Sequence, residues 1–336
     1  AFAMWSTFPL IRETLQGVCA SSPWEARLGR ETFGGEVHSF AAAFKERDIV
    51  ELLSISDHLV FNSFSQLECF RPLWEQERNR VSIGLRVNPE HSEGHTEIYD
   101  PCAKNSRLGI PRREFEGKSL AGVDGLHFHT LCEHLFEPLA RTAKAFEEKF
   151  GEFLPGMQWL NLGGGHHITR AGYDIDGLVD LVKYFRDKYD VEVYLEPGEA
   201  VVIGTGLLVG EVLDVVPNEI ETAILDVSAT CHMPDILEMP YRPEVFGGYD
   251  PGVKQYSYRL GGPSCLAGDI IGDWSFVRPL TAGDRLAFLD MAHYTMVKST
   301  TFNGIQLPHL CIYEPEVGSL RVVRSFDYED FRGRLS

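Results

Sequence analysis

The chain has 336 residues, of which 44% are hydrophobic and 24% charged, and a formal net charge of −18. This length makes two domains the expectation, because single cores stop growing near about 250–300 residues. The negative charge disfavours nucleic acids and anionic membranes as partners, and no apolar run approaches the ~20 residues that span a bilayer. Seven cysteines without regular spacing predict no disulfide framework and favour reduced thiols in a cytoplasmic protein.

The first part of the chain alternates strand-like and helical patterns. Apolar spacings of three and four predict helices over residues 8–15, 41–53, 66–77, 135–150 and 178–189. Short apolar runs predict strands over residues 36–40, 59–62, 82–88, 125–130, 158–162 and 191–195. About seven strand–helix units over roughly 200 residues indicate an α/β fold, for which a β/α barrel is favoured over an open doubly wound sheet.

The pattern changes near residue 206, where helical periodicity nearly vanishes. Strands are predicted over residues 207–216, 221–226, 255–260, 285–289, 310–313 and 320–324, separated by Gly/Pro turns. We therefore expect a β/α barrel over residues 1–205 and an antiparallel β domain over residues 206–336.

Two motifs follow predicted barrel strands, where barrels carry their chemistry. Gly163, Gly164 and Gly165 let backbone amides approach a phosphate, although a tight turn explains three glycines equally well. Glu196, followed by Pro197 and Gly198, is able to keep the pyridine nitrogen of a cofactor protonated; the alternative is a surface loop carboxylate.

His127 and His129 lie two residues apart on a predicted strand, so both point to one face. A metal site is one interpretation, with His166 and His167 nearby. No Asp or Cys cluster stands at ligand spacing to complete a shell. We therefore predict no metal, and favour stacking of His129 on an aromatic ring.

Three further residues are candidates outside these motifs. Cys265 lies in a turn rich in glycine and proline, where a thiol is able to exchange protons, although cysteines are more often buried structural residues. Arg107 precedes a glycine and is either a ligand-binding or a solvated loop residue. Tyr294 is able to reach a phosphate, but a core or interface role is the alternative.

Taken in this order, the motifs resemble those of the fold-type III pyridoxal-phosphate decarboxylases, the group of ornithine and diaminopimelate decarboxylases, over nearly the whole chain. Within that group, the segments 196–200, 265–269 and 293–298 are most similar to enzymes that convert carboxynorspermidine or carboxyspermidine to norspermidine or spermidine. The resemblance implies an alanine-racemase-type β/α barrel, a β domain, pyridoxal 5'-phosphate as cofactor, and a homodimer with shared active sites.

The resemblance also implies roles for particular residues. His129 stacks on the cofactor ring, Glu196 pairs with its nitrogen, and Cys265 of the partner subunit protonates the carbanion. The remaining cofactor-binding residues are Arg107, Gly163, Gly164, Gly165, Gly198 and Tyr294. The lysine that forms the Schiff base is expected immediately before Ala1, because the family carries it at the end of the first barrel strand.

Several positions depart from the wider group and bear on the substrate. Glu199 stands where relatives carry a phosphate-binding arginine, and Leu266 where they carry an acidic residue. Met239 lies near the place where diaminopimelate decarboxylases use an arginine, which argues against that substrate. The candidates for binding the distal ammonium groups of a polyamine-like chain are Glu238, Asp269 and Asp273. A decarboxylase of ornithine, lysine or diaminopimelate, and an inactive regulatory binding protein, are the alternatives.

Overall fold

The computed structural model describes residues 1–94 and 96–336. The chain divides into two compact units, one formed by Met4–Val201 and the other by Val202–Ser336 together with Ala1–Ala3. Among the described residues, none of the helices combines the length and apolar character that crossing a bilayer requires.

The first unit is built on a parallel sheet of eight strands. Its core path runs β1-β2-β3-β4-β6-β7-β8, and β5 pairs with β4. The sheet is curled, since the ring of His38 on the second strand lies 4.8 Å from the ring of Tyr194 on the last. The predicted β/α barrel class is therefore confirmed. The strands are β1 (Gly17–Ala20), β2 (Glu36–Phe40), β3 (His58–Phe61), β4 (Ser82–Asn88), β5 (Ile110–Pro111), β6 (Gly125–His127), β7 (Trp159–Asn161) and β8 (Glu192–Tyr194).

Helices connect these strands. They are α1 (Phe8–Ile11), α2 (Pro23–Leu28), α3 (Glu46–Ile55), α4 (Phe64–Cys69), α5 (Arg71–Trp74), α6 (Phe136–Phe150) and α7 (Ile175–Tyr189). The longest two show why the sequence forms them: in α6 the buried residues Leu139, Ala143, Phe146 and Phe150 recur every three or four positions. Asp174 caps α7, because its side chain accepts a hydrogen bond from the Gly177 amide at 2.8 Å.

The second unit contains a mostly antiparallel five-stranded sheet and a hairpin. The sheet order is β12-β11-β10-β9-β13, and the pairing of β10 with β11 is parallel. The elements are β9 (Leu207–Val216), β10 (Thr222–Leu225), α8 (Ala229–His232), α9 (Asp235–Glu238), β11 (Tyr256–Gly261), β12 (Ile270–Phe276), β13 (Arg285–Leu289), α10 (Thr295–Lys298), β14 (Leu310–Glu314), β15 (Ser319–Arg324) and α11 (Tyr328–Leu335).

Some predicted elements are corrected by the structure. The helix predicted over residues 66–77 is broken at Phe70 into α4, α5 and a short 3-10 turn, because Pro72 lacks the amide that a continuous helix needs. The helix predicted from residue 41 begins only at Glu46. The elements that the sequence did not predict are β1, α2, β5, α8, α9, β12, α10 and α11.

Candidate active site

Glu196 follows β8, and its carboxylate contacts polar side chains at the carboxyl ends of neighbouring strands. Its Oε2 lies 3.2 Å from Nε2 of His127 and 3.3 Å from Nδ1 of His129. Its Oε1 accepts a hydrogen bond from Nδ2 of Asn161 at 2.9 Å, and Sγ of Cys19 lies 3.3 Å from the same oxygen. Parallel strands end at one edge of the sheet, so residues distant in sequence meet there.

The charge of this group follows from its surroundings. Burial alone raises the pKa of the Glu196 carboxyl, but His127 and His129 outweigh burial and hold the pKa well below its usual value. Burial lowers the pKa of His127, and the negative charge of Glu196 opposes this lowering. Nε2 of His127 donates to Glu196. The site therefore presents a carboxylate that stays charged although only 15% of its side chain is exposed.

The three glycines form a turn that packs against backbone. A β-carbon on Gly164 would lie 2.0 Å from the carbonyl oxygen of Glu196, and one on Gly165 would lie 1.9 Å from that of Leu131. Larger residues are excluded by this close approach. The amide of Gly163 donates to Asn161 at 2.8 Å, which holds the turn against the site.

Nδ1 of His129 forms a hydrogen bond with either the Gly164 amide or Glu196, depending on whether this nitrogen carries a proton. The Gly164 amide donates to its Nδ1 at 3.2 Å when that nitrogen carries no proton, whereas a protonated Nδ1 donates to Glu196. The next α-helix along the chain after the glycine turn is α7, which begins only at Ile175. Any phosphate bound here therefore depends on local amides rather than on a helix N-terminus.

Arg86 is a site residue that the sequence analysis missed. It lies on β4 with 6% of its surface exposed, donates from Nη2 to the carbonyl of His129 at 2.7 Å, and stands over the ring of Phe40. Burial lowers its pKa to about 10, so it remains charged. The available signal was an arginine in the middle of an otherwise apolar strand.

The other predicted residues of this unit lie in loops. Arg107 is exposed, and its carbonyl accepts a hydrogen bond from Asn62 at 2.8 Å. The carbonyl of Gly198 accepts from the amide of Val201 at 3.2 Å. Glu199 lies 3.2 Å from Nε2 of His167, so this carboxylate has a polar partner within its own unit.

In the second unit, Cys265 lies in an exposed loop between β11 and β12. Its amide donates to Oδ1 of Asn303 at 2.8 Å. Asp269 was predicted to bind the substrate, but its side chain is buried, with 3% of the residue exposed, and both oxygens accept from Ser228 Oγ. These contacts are those of a residue that holds the loop.

The remaining candidate carboxylates pair with cations. Glu238 lies 3.0 Å from Nζ of Lys298, which also pairs with Asp235. Burial on its own lowers the pKa of Lys298, and the two carboxylates outweigh it and raise that pKa. Asp273 binds Arg259 through two hydrogen bonds of 2.8 and 3.0 Å, as a side-by-side pair on β12 and β11.

Tyr294 has an unusual backbone. Its φ is 41° and its ψ −55°, and the amide of Thr295 donates to the carbonyl of His293 across it. This is a γ-turn of positive φ, which is strained for a residue with a side chain. The residue is 40% exposed, and Nζ of Lys298 lies over its ring, 5.5 Å from the centroid.

Two groups of three side chains in the described residues are close enough to share an ion: His127, His129 and Glu196, and Glu36, His38 and His58. The first group contains His127 and His129, the two histidines that suggested a metal site in the sequence, together with Glu196. In the second, the rings of His38 and His58 stack at 3.9 Å with planes 7° apart. Their lone pairs lie in the ring planes and run side by side, so they do not converge on one ion.

Comparison with known proteins shows the family to which the chain belongs. Residues 98–292 match the family model of the pyridoxal-dependent decarboxylase C-terminal sheet domain. The carboxynorspermidine/carboxyspermidine decarboxylase of Campylobacter jejuni is 44% identical, with 98% of this chain and 88% of the relative covered. The carboxyaminopropylagmatine decarboxylase of Synechocystis is also 44% identical, with 99% and 86% covered.

The chain belongs to the pyridoxal-dependent decarboxylases. A solved relative agrees: the Campylobacter jejuni carboxynorspermidine decarboxylase complexed with norspermidine matches with a TM-score of 0.90 and 43% identity, over 99% of this chain and 90% of that one. This decarboxylase is thus a carboxy-lyase whose cofactor is pyridoxal phosphate. The resemblance found in the sequence is confirmed.

The residues of the decarboxylase fit this cofactor. A buried carboxylate with a lowered pKa is the group that keeps a pyridine nitrogen protonated, and Glu196 is such a group. When bound, pyridoxal phosphate accepts the electron pair left by the departing carboxylate. His127 and Asn161 hold Glu196 in place, and Arg86 holds the backbone of His129.

Proposed function

We propose that this decarboxylase removes the α-carboxyl group of carboxynorspermidine or carboxyspermidine and releases norspermidine or spermidine, as a step of polyamine biosynthesis. The buried, charged Glu196 is the observation that carries the reaction class. The substrate is supported by the Campylobacter jejuni relatives, which bear these names at 43–44% identity over nearly the whole chain.

The chain's own residues have the following roles. Glu196 binds the ring nitrogen and keeps it protonated, and His129 covers the ring. The phosphate is bound by Tyr294 and by the glycine turn of Gly163, Gly164 and Gly165. Arg107 lies beside the ring, and Gly198 is a further cofactor-binding residue. Cys265 donates a proton to the α-carbon after the carboxylate has left.

Glu238 is the favoured partner for the distal end of the substrate. Asp269 is enclosed by its own loop and Asp273 is held by both nitrogens of an arginine fork. Glu238 pairs with Lys298 at the surface, and 47% of its side chain is exposed. A cationic group of the substrate is therefore able to reach this carboxylate from the solvent side.

A second candidate is decarboxylation of carboxyaminopropylagmatine. The Synechocystis relative that bears this name is as similar to this chain as the Campylobacter jejuni one. This molecule ends in a guanidinium group where the first candidates end in an ammonium. Both cations suit a carboxylate, so Glu238 alone does not separate them.

Steady-state kinetics test both candidates together. The holoenzyme is supplied with carboxynorspermidine, carboxyspermidine, carboxyaminopropylagmatine, diaminopimelate, ornithine and lysine. We expect kcat/KM for a carboxylated polyamine to exceed that for diaminopimelate by at least about a hundredfold, because the second carboxylate of diaminopimelate would face Glu238 unpaired. Preference for ornithine, lysine or diaminopimelate would refute the proposed substrate. Absence of turnover with all six, despite bound cofactor, would support a regulatory binding protein.

We further infer that the decarboxylase works in the cytoplasm as a homodimer, in which the barrel of residues 1–205 binds the cofactor together with Tyr294, and Cys265 comes from the partner subunit. The net charge of −18 supports a small cationic substrate and no nucleic acid or membrane as partner. Crosslinking or light scattering of the purified protein tests the dimer, and a monomer with full activity would contradict it.

A further inference from the structure

The loop that carries Cys265 is built around one buried carboxylate. Asp269 closes the loop, since its carbonyl accepts from the Gly262 amide at 2.8 Å and its amide donates to the Leu266 carbonyl at 2.9 Å. The Asp269 side chain folds back into the loop and is 3% exposed. The amide of Ser264, the residue before Cys265, donates to Oδ2 of Asp269 at 3.2 Å.

The same carboxylate ties the loop to the start of α8. Oγ of Ser228, which is fully buried, donates to Asp269 across distances of 3.0 and 2.8 Å to the two oxygens. The Thr230 amide donates to Oδ1 at 3.2 Å. Asp269 therefore accepts from three donors that belong to two separate segments, and every one of them would lose its partner together with the carboxylate.

The backbone of the loop packs closely against the Asp269 carboxylate at Gly262. A β-carbon on Gly262 would lie 2.4 Å from Oδ2 of Asp269 and 2.7 Å from Cα of Ser228. Glycine at this position therefore lets the loop backbone lie directly against the carboxylate. The Cys265 amide is held separately, by Oδ1 of Asn303 at 2.8 Å, so the cysteine backbone is anchored on both sides.

We propose that Asp269 is a positioning residue that sets the location of the Cys265 thiol through Ser264 and Ser228. This inference rests on the proposed function, in which Cys265 donates the proton to the substrate. A proton donor has to lie within hydrogen-bond reach of the atom it protonates, and a displacement of about 1 Å costs on the order of a hundredfold in rate. Asp269 acts on the reaction only through this placement.

The test is a double-mutant cycle of Asp269→Asn and Cys265→Ala in the holoenzyme. The amide of asparagine turns donor hydrogens toward the amides of Ser264 or Thr230, so the loop shifts. We expect Asp269→Asn to lower kcat by about 10- to 100-fold with Cys265 present, with KM little changed. In the Cys265→Ala background it should lower kcat by less than about twofold, because residues that act as a unit are not additive.

Hydrogen exchange gives a readout that does not depend on activity. Asp269→Asn should speed exchange in peptides covering residues 228–232 and 262–269, whose amides donate to the carboxylate. Asp284→Asn is the matched control, since Asp284 also accepts from a turn amide of this unit, that of Thr281 at 2.8 Å. That variant should leave these peptides and kcat unchanged. If Asp269→Asn does not fold, Ser228→Ala is the milder variant and should move the same peptides.

The outcomes separate the two proposals. Equal losses of kcat from Asp269→Asn in both backgrounds, or no loss and no change in exchange, would overturn the positioning role. Full activity of Cys265→Ala would instead remove Cys265 from the reaction and refute that part of the proposed function.

Discussion

Glu196 obtains its charge from side chains that the sequence places far away. His127 and Asn161 stand on β6 and β7 and donate to it at 3.2 and 2.9 Å. Without these donors burial would favour the neutral acid, which is unable to hold a protonated pyridine nitrogen. The residue type and its position after a strand predicted the role, whereas the partners that make the role possible became visible only in the structure.

Glu196→Gln should therefore lower kcat/KM by about 10²–10³-fold, since an amide keeps the shape of the side chain and removes its charge. Steady-state kinetics with carboxynorspermidine measure the loss, and cofactor absorbance checks that pyridoxal phosphate is still bound. Glu192→Gln is the control, because Glu192 is an exposed carboxylate on β8, the strand that Glu196 follows. Activity of Glu196→Gln equal to that of this control would rule out the proposed pairing with the ring nitrogen.

At the scale of an element, the sequence pattern predicts some strands with their observed bounds and misses others. The strands over residues 36–40 and 82–88 are predicted with their observed bounds, because in each of them apolar residues are interspersed with polar or small ones. β1 and β12 were missed for physical reasons. In β1, whose residues are Gly17, Val18, Cys19 and Ala20, Val18 is the one strong strand former. β12 contains Gly272 and Asp273, which have low strand propensity.

Neighbouring strands also place ionisable groups in contact, and this produces an acid-sensitive layer. His38 and His58 are partners in register on β2 and β3, and their rings stack at 3.9 Å. Burial, followed by the positive charge of a protonated His38, lowers the pKa of His58 to about 4. Glu36 and Tyr194 also face this pair, and Glu36 and Asp57 oppose the lowering without overcoming it.

The folded protein therefore binds fewer protons than the unfolded chain between about pH 6.5 and pH 4, so stability falls as the pH falls through this window. At pH 5 the contribution of His58 is about 2 kcal/mol. We expect His58→Phe, which keeps a ring in the stack, to lose less unfolding free energy than the unsubstituted protein between pH 7 and pH 5. Urea unfolding at both pH values measures the difference, with His309→Gln on the exposed hairpin as control. Identical losses in all three proteins would show that His58 does not titrate in this way.

At the scale of the whole molecule, the site residues fall in two compact units. Glu196, His129 and the glycine turn belong to Met4–Val201, whereas Cys265, Glu238 and Tyr294 belong to the unit that contains Val202–Ser336. The proposed reaction needs groups from both. A two-fold homodimer that shares its sites would supply them from two subunits, because its contacts are reciprocal.

Mixing two inactive variants tests this arrangement. Glu196→Gln and Cys265→Ala subunits, dissociated together in equal amounts and reassociated, should regain about a quarter of the unsubstituted activity. About half of the dimers then contain both variants, and one of their two sites combines an intact Glu196 with an intact Cys265. Activity is compared with each variant treated alone. No recovery, despite mixed dimers seen by mass spectrometry, would show that each site is built within one subunit.

The sequence by itself determined the α/β class, the strand ends that carry function and the identities of Glu196, His129 and Cys265 as candidates, because periodicity and motif spacing are local properties of a chain. Tertiary structure decided which groups actually meet. It brought Arg86 to His129, which sequence reasoning missed, and it placed Asp269 inside its own loop, where sequence reasoning expected a substrate contact. Burial and hydrogen-bond partners are set by segments distant along the chain, and these two quantities govern the charge and availability of a side chain.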